Sequence, residues 1–77
     1  MKLKSVNKVL CYPFLDVTVY EKKGFVAGES TPTTWFDIDY TADKNVGRFV
    51  ELIDSGAEVL FISVNSATKA LSLTILV

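Results

Sequence analysis

The sequence predicts a small α+β domain of two layers, in which one helix packs on a mostly antiparallel sheet of four to five strands. Two patterns indicate this class. Apolar residues recur with helical spacing between about residues 42 and 55, whereas most other segments alternate or are rich in β-branched and aromatic residues. The expected order along the chain is β-β-β(β)-α-β-β, and the length of 77 residues fits one domain over residues 1–77.

The chain is predicted to begin with two strands. The first covers about residues 4–10 and ends near Pro13, because proline cannot donate a backbone hydrogen bond to a sheet. The second covers residues 16–22, where apolar and polar residues alternate. Val17 and Val19 lie on its apolar face, which we expect to point into the core.

A turn, a loop and a further strand follow. Lys23-Gly24 predicts a turn into a short strand over residues 25–27, and residues 28–33 form a loop because they are rich in turn residues. Residues 34–40 then alternate, which predicts a strand with two distinct faces. One face carries Phe36, Ile38 and Tyr40, and the other carries Trp35, Asp37 and Asp39.

The helix is predicted over about residues 42–55 from one apolar stripe, formed by Val46, Phe49, Val50 and Ile53. Either Thr41 or Asp43 is the expected N-cap, because short polar side chains accept hydrogen bonds from the first free amides of a helix. Gly56 is expected to end the helix, because glycine readily adopts the left-handed conformation that follows a last helical turn.

Two strands joined by a turn complete the prediction. Residues 58–64 are apolar on both faces for most of their length, which is typical of a central strand. Residues 65–68 are expected to form a turn. Residues 69–77 alternate and are predicted to form a half-buried strand, antiparallel to the one before. This last strand has no charge after Lys69, so we expect it to associate readily if it lies at an edge.

The composition argues against an enzyme and against a bound cofactor. The chain has no histidine and a single cysteine, Cys11, so the commonest general base and metal ligand is absent and no intrachain disulfide can form. The net charge of −1 argues against a dedicated nucleic-acid binder. We expect a soluble, unprocessed cytoplasmic protein, because a lone thiol fits a reducing compartment and no apolar run is long enough to span a membrane.

The predicted sheet is wider than its helix. Four or five strands at about 4.8 Å spacing make a sheet roughly 15–20 Å wide, whereas a helix with its side chains is about 10–12 Å across. Aromatic residues outside the core pattern, such as Tyr12, Phe14 and Phe25, have no evident cover. The sequence therefore predicts a contiguous apolar patch that another chain covers, and a homodimer is the expected solution.

The residues expected to bind protein are Trp35, Asp37, Asp39, Tyr20 and Arg48. Tryptophan beside carboxylates is typical of an interface that receives a basic or arginine-bearing partner. The sequence thus favours a non-enzymatic protein-interaction module, such as a small acidic inhibitor or adaptor of phage or mobile-element type, which docks on a larger protein, homodimerises, or does both. The identity of that protein does not follow from the sequence.

Two alternative functions follow from other residues. A small ligand or divalent cation would bind an acidic face formed by Glu29, Asp37, Asp39 and Asp43. Single-stranded nucleic acid would bind basic and aromatic residues of the first part of the chain, namely Lys2, Lys4, Lys8, Tyr12 and Tyr20. Neither alternative displaces the prediction of a protein binder without metal or cofactor, since Asp-x-Asp is a weak metal signal and the chain has one arginine.

Overall fold

The computed structural model describes residues 1–7, 12–65, 67 and 69–77, and in these residues four strands form one sheet accompanied by two helices. The α+β class predicted from the sequence is confirmed. The elements in chain order are α1 (Leu3–Asn7), β1 (Phe14–Tyr20), β2 (Thr34–Asp39), α2 (Val46–Asp54), β3 (Glu58–Asn65) and β4 (Ala70–Leu76).

The strands lie in the order β2-β1-β4-β3. β1 is antiparallel to β2, β4 is antiparallel to β3, and the two central strands, β1 and β4, are parallel to each other. The prediction that residues 58–64 form a central strand is therefore wrong, because β3 lies at an edge. The last strand, β4, which the sequence analysis treated as a possible edge, instead lies between β1 and β3 and pairs with both.

Both helices contribute to a core on one face of the sheet. Phe49 of α2 and Leu3 of α1 have 1% and 0% of their surface exposed, and they pack with the alternate residues of the strands. The remaining fully or nearly buried members of this cluster are Leu15, Val17, Val19, Phe36, Ile38, Ala57, Leu71, Leu73 and Ile75. Burial of one such large side chain stabilises the fold by about 1.5–3 kcal/mol.

A helix occupies the segment where the sequence predicted a first strand. α1 is short, and a helix of this length is unstable without tertiary contacts. It forms because Leu3 and Val6, spaced three residues apart, are both buried, and Leu3 packs in the core cluster. The remainder of the predicted strand, including Lys8, and Cys11 after it lie outside the described residues.

The start of α2 also differs from the prediction. The helix begins at Val46, and the expected caps at Thr41 and Asp43 are wrong, because residues 40–44 form a turn in which Lys44 and Asp39 exchange two backbone hydrogen bonds. Asn45 precedes the helix in the left-handed conformation, with no side-chain cap. The predicted end is confirmed at Gly56, whose φ of 81° lies in the region that favours glycine.

Two smaller predictions have different outcomes. Residues 25–27 do not form a strand but belong to a turn, in which the amides of Glu29 and Ser30 both donate to the carbonyl of Val26. The predicted turn at residues 65–68 is described only in part, since Asn65 ends β3 and residues 66 and 68 lie outside the described residues.

Candidate protein interface

The sheet face opposite the helices carries the candidate site. We call it the open face, because neither helix packs on it. Alternation along the strands assigns to it Phe14, Asp16, Thr18 and Tyr20 of β1, Trp35, Asp37 and Asp39 of β2, Phe61 and Ser63 of β3, and Ser72, Thr74 and Leu76 of β4. The set is thus aromatic, small and acidic rather than basic.

One row of the open face joins two exposed aromatic side chains. Trp35 pairs with Thr18, Thr18 with Thr74, and Thr74 with Phe61, so the row crosses all four strands. Trp35 is 68% exposed and Phe61 is 64% exposed. Three strand spacings separate them by about 14 Å. The two threonines between them are smaller, so the large rings stand at either end of a lower surface.

A recess lies beside Phe61 at the end of the open face. The loop after β1 forms one wall, where the rings of Tyr20 and Phe25 meet edge to face with centroids 5.1 Å apart. The volume of the recess is about 260 Å³. Its other lining includes Leu60 and Thr74, so its walls combine aromatic, aliphatic and hydroxyl groups. A recess of this kind accommodates an apolar anchor side chain from a protein partner.

Two carboxylates face each other next to Trp35. Asp16 and Asp37 are direct cross-strand partners on the open face. Like charges in this arrangement destabilise a sheet. Lys44 offsets part of the repulsion, since its Nζ donates to Oδ2 of Asp37 at 3.1 Å. The ion pair lies at the surface, where such contacts contribute only about 0–1 kcal/mol.

Asp39 has a local structural role. Its Oδ1 accepts hydrogen bonds from the amide of Thr41 at 2.9 Å, from the Thr41 hydroxyl, and from the amide of Ala42 at 3.2 Å. The hydroxyl of Thr41 is the main reason that the pKa of the Asp39 carboxyl is lowered. This carboxylate holds the turn that leads to α2, so it has less capacity for a partner than Asp37.

Arg48 is separated from the other predicted binding residues by the thickness of the sheet. Its guanidinium carbon lies 4.3 Å from the centre of the Phe36 ring, which belongs to the helix-covered face. It borders a groove of about 410 Å³ that also contains Leu52 and Val77. The open face therefore gathers Trp35, Asp37, Asp39 and Tyr20, while Arg48 lies on the opposite side.

The described residues of the two alternative functions are distributed over several elements of the fold. Among the residues that the structure describes, no group of three or more potential metal ligands lies close together, so the four acidic residues of the cation hypothesis form no such cluster. Of the nucleic-acid candidates, Lys2 is bound to Glu58 and to the Gly56 carbonyl, and Lys4 borders a recess beside Asp54. Lys8 lies outside the described residues.

The sequence reasoning missed the importance of β3. Leu60, Phe61, Ile62 and Val64 are 36–64% exposed. Ile62 pairs directly with Leu73 and therefore lies on the helix side of the sheet. The available signal was the lack of any charge over residues 59–68, a feature that marks either a central strand or an unprotected edge.

In the described part of the chain, no helix combines the length and apolar character needed to cross a membrane. Comparisons with protein-family models, with curated proteins and with solved structures found no significant match to this chain.

Proposed function

We propose that this protein is a non-enzymatic protein-interaction module that docks on a larger protein through its open face. The observation that carries the proposal is the row from Trp35 to Phe61. Two large aromatic side chains, each about two-thirds exposed, stand on a sheet face that neither helix covers. Exposed aromatic side chains of this kind are frequent binding hot spots, because they bury a large area with few rotatable bonds.

The surroundings of Trp35 favour a basic partner surface. Asp16 and Asp37 place two carboxylates beside the indole, and Lys44 forms an ion pair with Asp37. An arginine of the partner would relieve their mutual repulsion and stack on the indole ring. The recess beside Phe61 would receive an apolar side chain of the same partner. The proposed partner surface therefore carries a basic group and an apolar anchor about 14 Å apart, the width of three strand spacings.

The proposal extends to the setting of this interaction. A small acidic domain with a lone cysteine fits an inhibitor or adaptor acting in a reducing compartment, so we propose a cytoplasmic protein partner. We propose that the protein acts by contact through the open face, whose described residues are mainly aromatic, small and acidic.

Site-directed photo-crosslinking tests the proposal. A benzoylphenylalanine replaces Trp35 in one variant and Val50 in the other, and both proteins are irradiated in the cells that naturally make them. Val50 is a matched control, because it is exposed but lies on α2, away from the open face. We expect a covalent adduct with a second protein species from position 35 and none from position 50.

A second substitution tests whether the partner surface is basic. Adding Asp16→Lys to the position 35 probe should abolish the adduct, because a basic partner would then meet a basic group. An adduct that forms equally from both probes, or one that survives Asp16→Lys unchanged, would contradict docking through the open face.

A further inference from the structure

The outer edge of β3 is already used, in part, by the N-terminal residues of the same chain. The Val59 amide donates to the Met1 carbonyl at 2.8 Å, and the Leu3 amide donates to the Ala57 carbonyl at 2.9 Å. Lys2 forms an antiparallel bridge with Glu58. The edge therefore accepts an added antiparallel segment, and that segment ends where the exposed part of β3 begins.

The rest of this edge has no partner within the described residues. No segment pairs with the outer side of residues 60–65 in the part of the chain that the structure describes. An edge strand presents unpaired amide and carbonyl groups that act as a template for another strand. Folded proteins often protect such an edge with a charge, a proline or a β-bulge. Residues 61–65 contain neither a charge nor a proline, and the bulge of β3 lies before them, between Val59 and Phe61.

The other edge of the sheet is protected by charge. β2 carries Asp37 and Asp39 within six residues. Pairing β2 with a second β2 would bring carboxylates of the two copies together, which destabilises a sheet. Pairing β2 with β3 would set these carboxylates beside apolar residues and would also leave edges for further copies, so that the assembly would not close. Pairing β3 with β3 avoids both consequences.

We propose that a second copy of this chain pairs with residues 60–65 of β3, so that two sheets join into one sheet of eight strands. A two-fold axis perpendicular to the sheet relates the two copies. Such an axis makes the two β3 strands antiparallel and puts the same face of both sheets on the same side of the joined sheet. In this symmetry one residue faces its own copy across the axis. Pairing centred on residues 60–65, beyond the N-terminal segment at Glu58 and Val59, makes that residue Ile62 or Ser63.

Either register brings only uncharged residues together. With Ile62 opposite its own copy, Phe61 lies opposite the partner copy's Ser63 on the open face. The apolar side chains that each copy leaves exposed on β3 then cover each other. The backbone pairing uses the edge of β3 and does not require contacts at Trp35, so it does not depend on the proposed docking of a foreign protein, although Phe61 belongs to both surfaces.

Sedimentation velocity over a concentration series tests the proposal with two matched variants. Ser63→Lys puts a charge on the free edge, and Ser72→Lys puts the same charge in the same row, one strand further in. We expect the unmodified chain to shift from monomer to dimer with concentration, Ser63→Lys to weaken the dimer at least tenfold, and Ser72→Lys and Trp35→Ala to leave it unchanged. Circular dichroism verifies that each variant is folded.

Hydrogen exchange on the unmodified chain decides the question even if a variant fails to fold. The amides of residues 60–64 should exchange more slowly as concentration rises, whereas those of residues 34–38, at the other edge, should not. A chain that remains monomeric at high micromolar concentration, protection confined to β2, or equal weakening by both lysine variants would overturn the β3 interface. If the chain dimerises through β3 but the probe at position 35 forms no adduct with another protein, the dimer proposal stands and only the proposed docking is contradicted.

Discussion

Asp16 and Asp37 face each other as direct partners across β1 and β2, on the face of the sheet opposite α1 and α2. A like-charge pair in this position lowers the stability of the sheet. Such a conflict between local energetics and the fold is typical of a functional surface. The pair lies one row from Trp35, in the surface that we propose to bind a basic partner.

The first prediction concerns this pair. Asp16→Asn should raise the free energy of unfolding by roughly 0.2–1 kcal/mol, because it removes one of the two facing charges. Urea denaturation at low salt measures the change, and the gain should shrink as salt screens the repulsion. Glu29→Gln is the control for net charge, since this residue is exposed in the loop. An equal gain from both variants would mean that the effect comes from total charge and not from the facing pair.

The second prediction concerns the ion pairs of Glu58. The hydrogen bond and charge of Lys22, whose Nζ lies 2.7 Å from Oε1 of Glu58, hold the pKa of this carboxyl below its ordinary value of 4.5, and Lys2 adds a smaller effect. A lowered pKa in the folded state means that the stabilisation is fully present above pH 4.5 and is lost as the pH falls through the folded value.

Thermal denaturation as a function of pH measures this effect. At pH 7, Glu58→Gln should melt at a lower temperature than the unmodified chain, and the difference should vanish in acid, where the carboxyl is protonated in both states. Because the pair lies at the surface, high salt should also reduce the difference. A difference that persists unchanged into acid would point to packing of this side chain and not to its charge.

The third prediction tests the docking of α1. Leu3→Ala should lower the free energy of unfolding by about 2–4 kcal/mol, because it leaves a cavity in place of a fully buried side chain. That loss is a large part of the roughly 4–12 kcal/mol expected for a chain of this length. Urea denaturation measures it, with Lys4→Ala on the exposed side of the same helix as control. Equal, small effects of the two substitutions would contradict a docked N-terminal helix.

The fourth prediction separates the two sides of the sheet. Arg48→Met keeps an unbranched side chain over the Phe36 ring but removes the cation, and should lower stability by about 0.5–1 kcal/mol. It should leave the photo-crosslink from position 35 unaltered, because Arg48 lies on the helix side. Loss of that crosslink in a folded Arg48→Met variant would mean that Arg48 belongs to the binding surface, as the sequence analysis predicted.

Much of the local structure followed from side-chain periodicity. The alternation of Val17 and Val19 fixed which face of β1 enters the core, and the same alternation put Trp35 on the other face of β2. The apolar stripe that includes Phe49 predicted α2, and Gly56 predicted its end. These features are local, since period and backbone preference depend on neighbouring residues alone.

The remaining features depend on contacts between residues that are distant in the sequence. Leu3 forms part of a helix because α2 and the sheet bury it, although its own segment is too short to be helical alone. Strand order is also non-local: the parallel pairing of β1 with β4 made the last strand central and left Phe61 and Ile62 on an edge. An unbroken run of apolar residues is equally compatible with a central strand and with an unprotected edge strand.

The sequence by itself determined the α+β class, the amphipathic faces of the strands and the excess of apolar and aromatic side chains over what one helix covers. Only the tertiary structure decided which of these side chains remain exposed: Trp35 lies on the open face, and the exposed apolar residues of β3, including Phe61, lie at an edge of the sheet. The reason is that periodicity specifies the direction of a side chain relative to its own strand, whereas exposure depends on which strands and helices lie beside it.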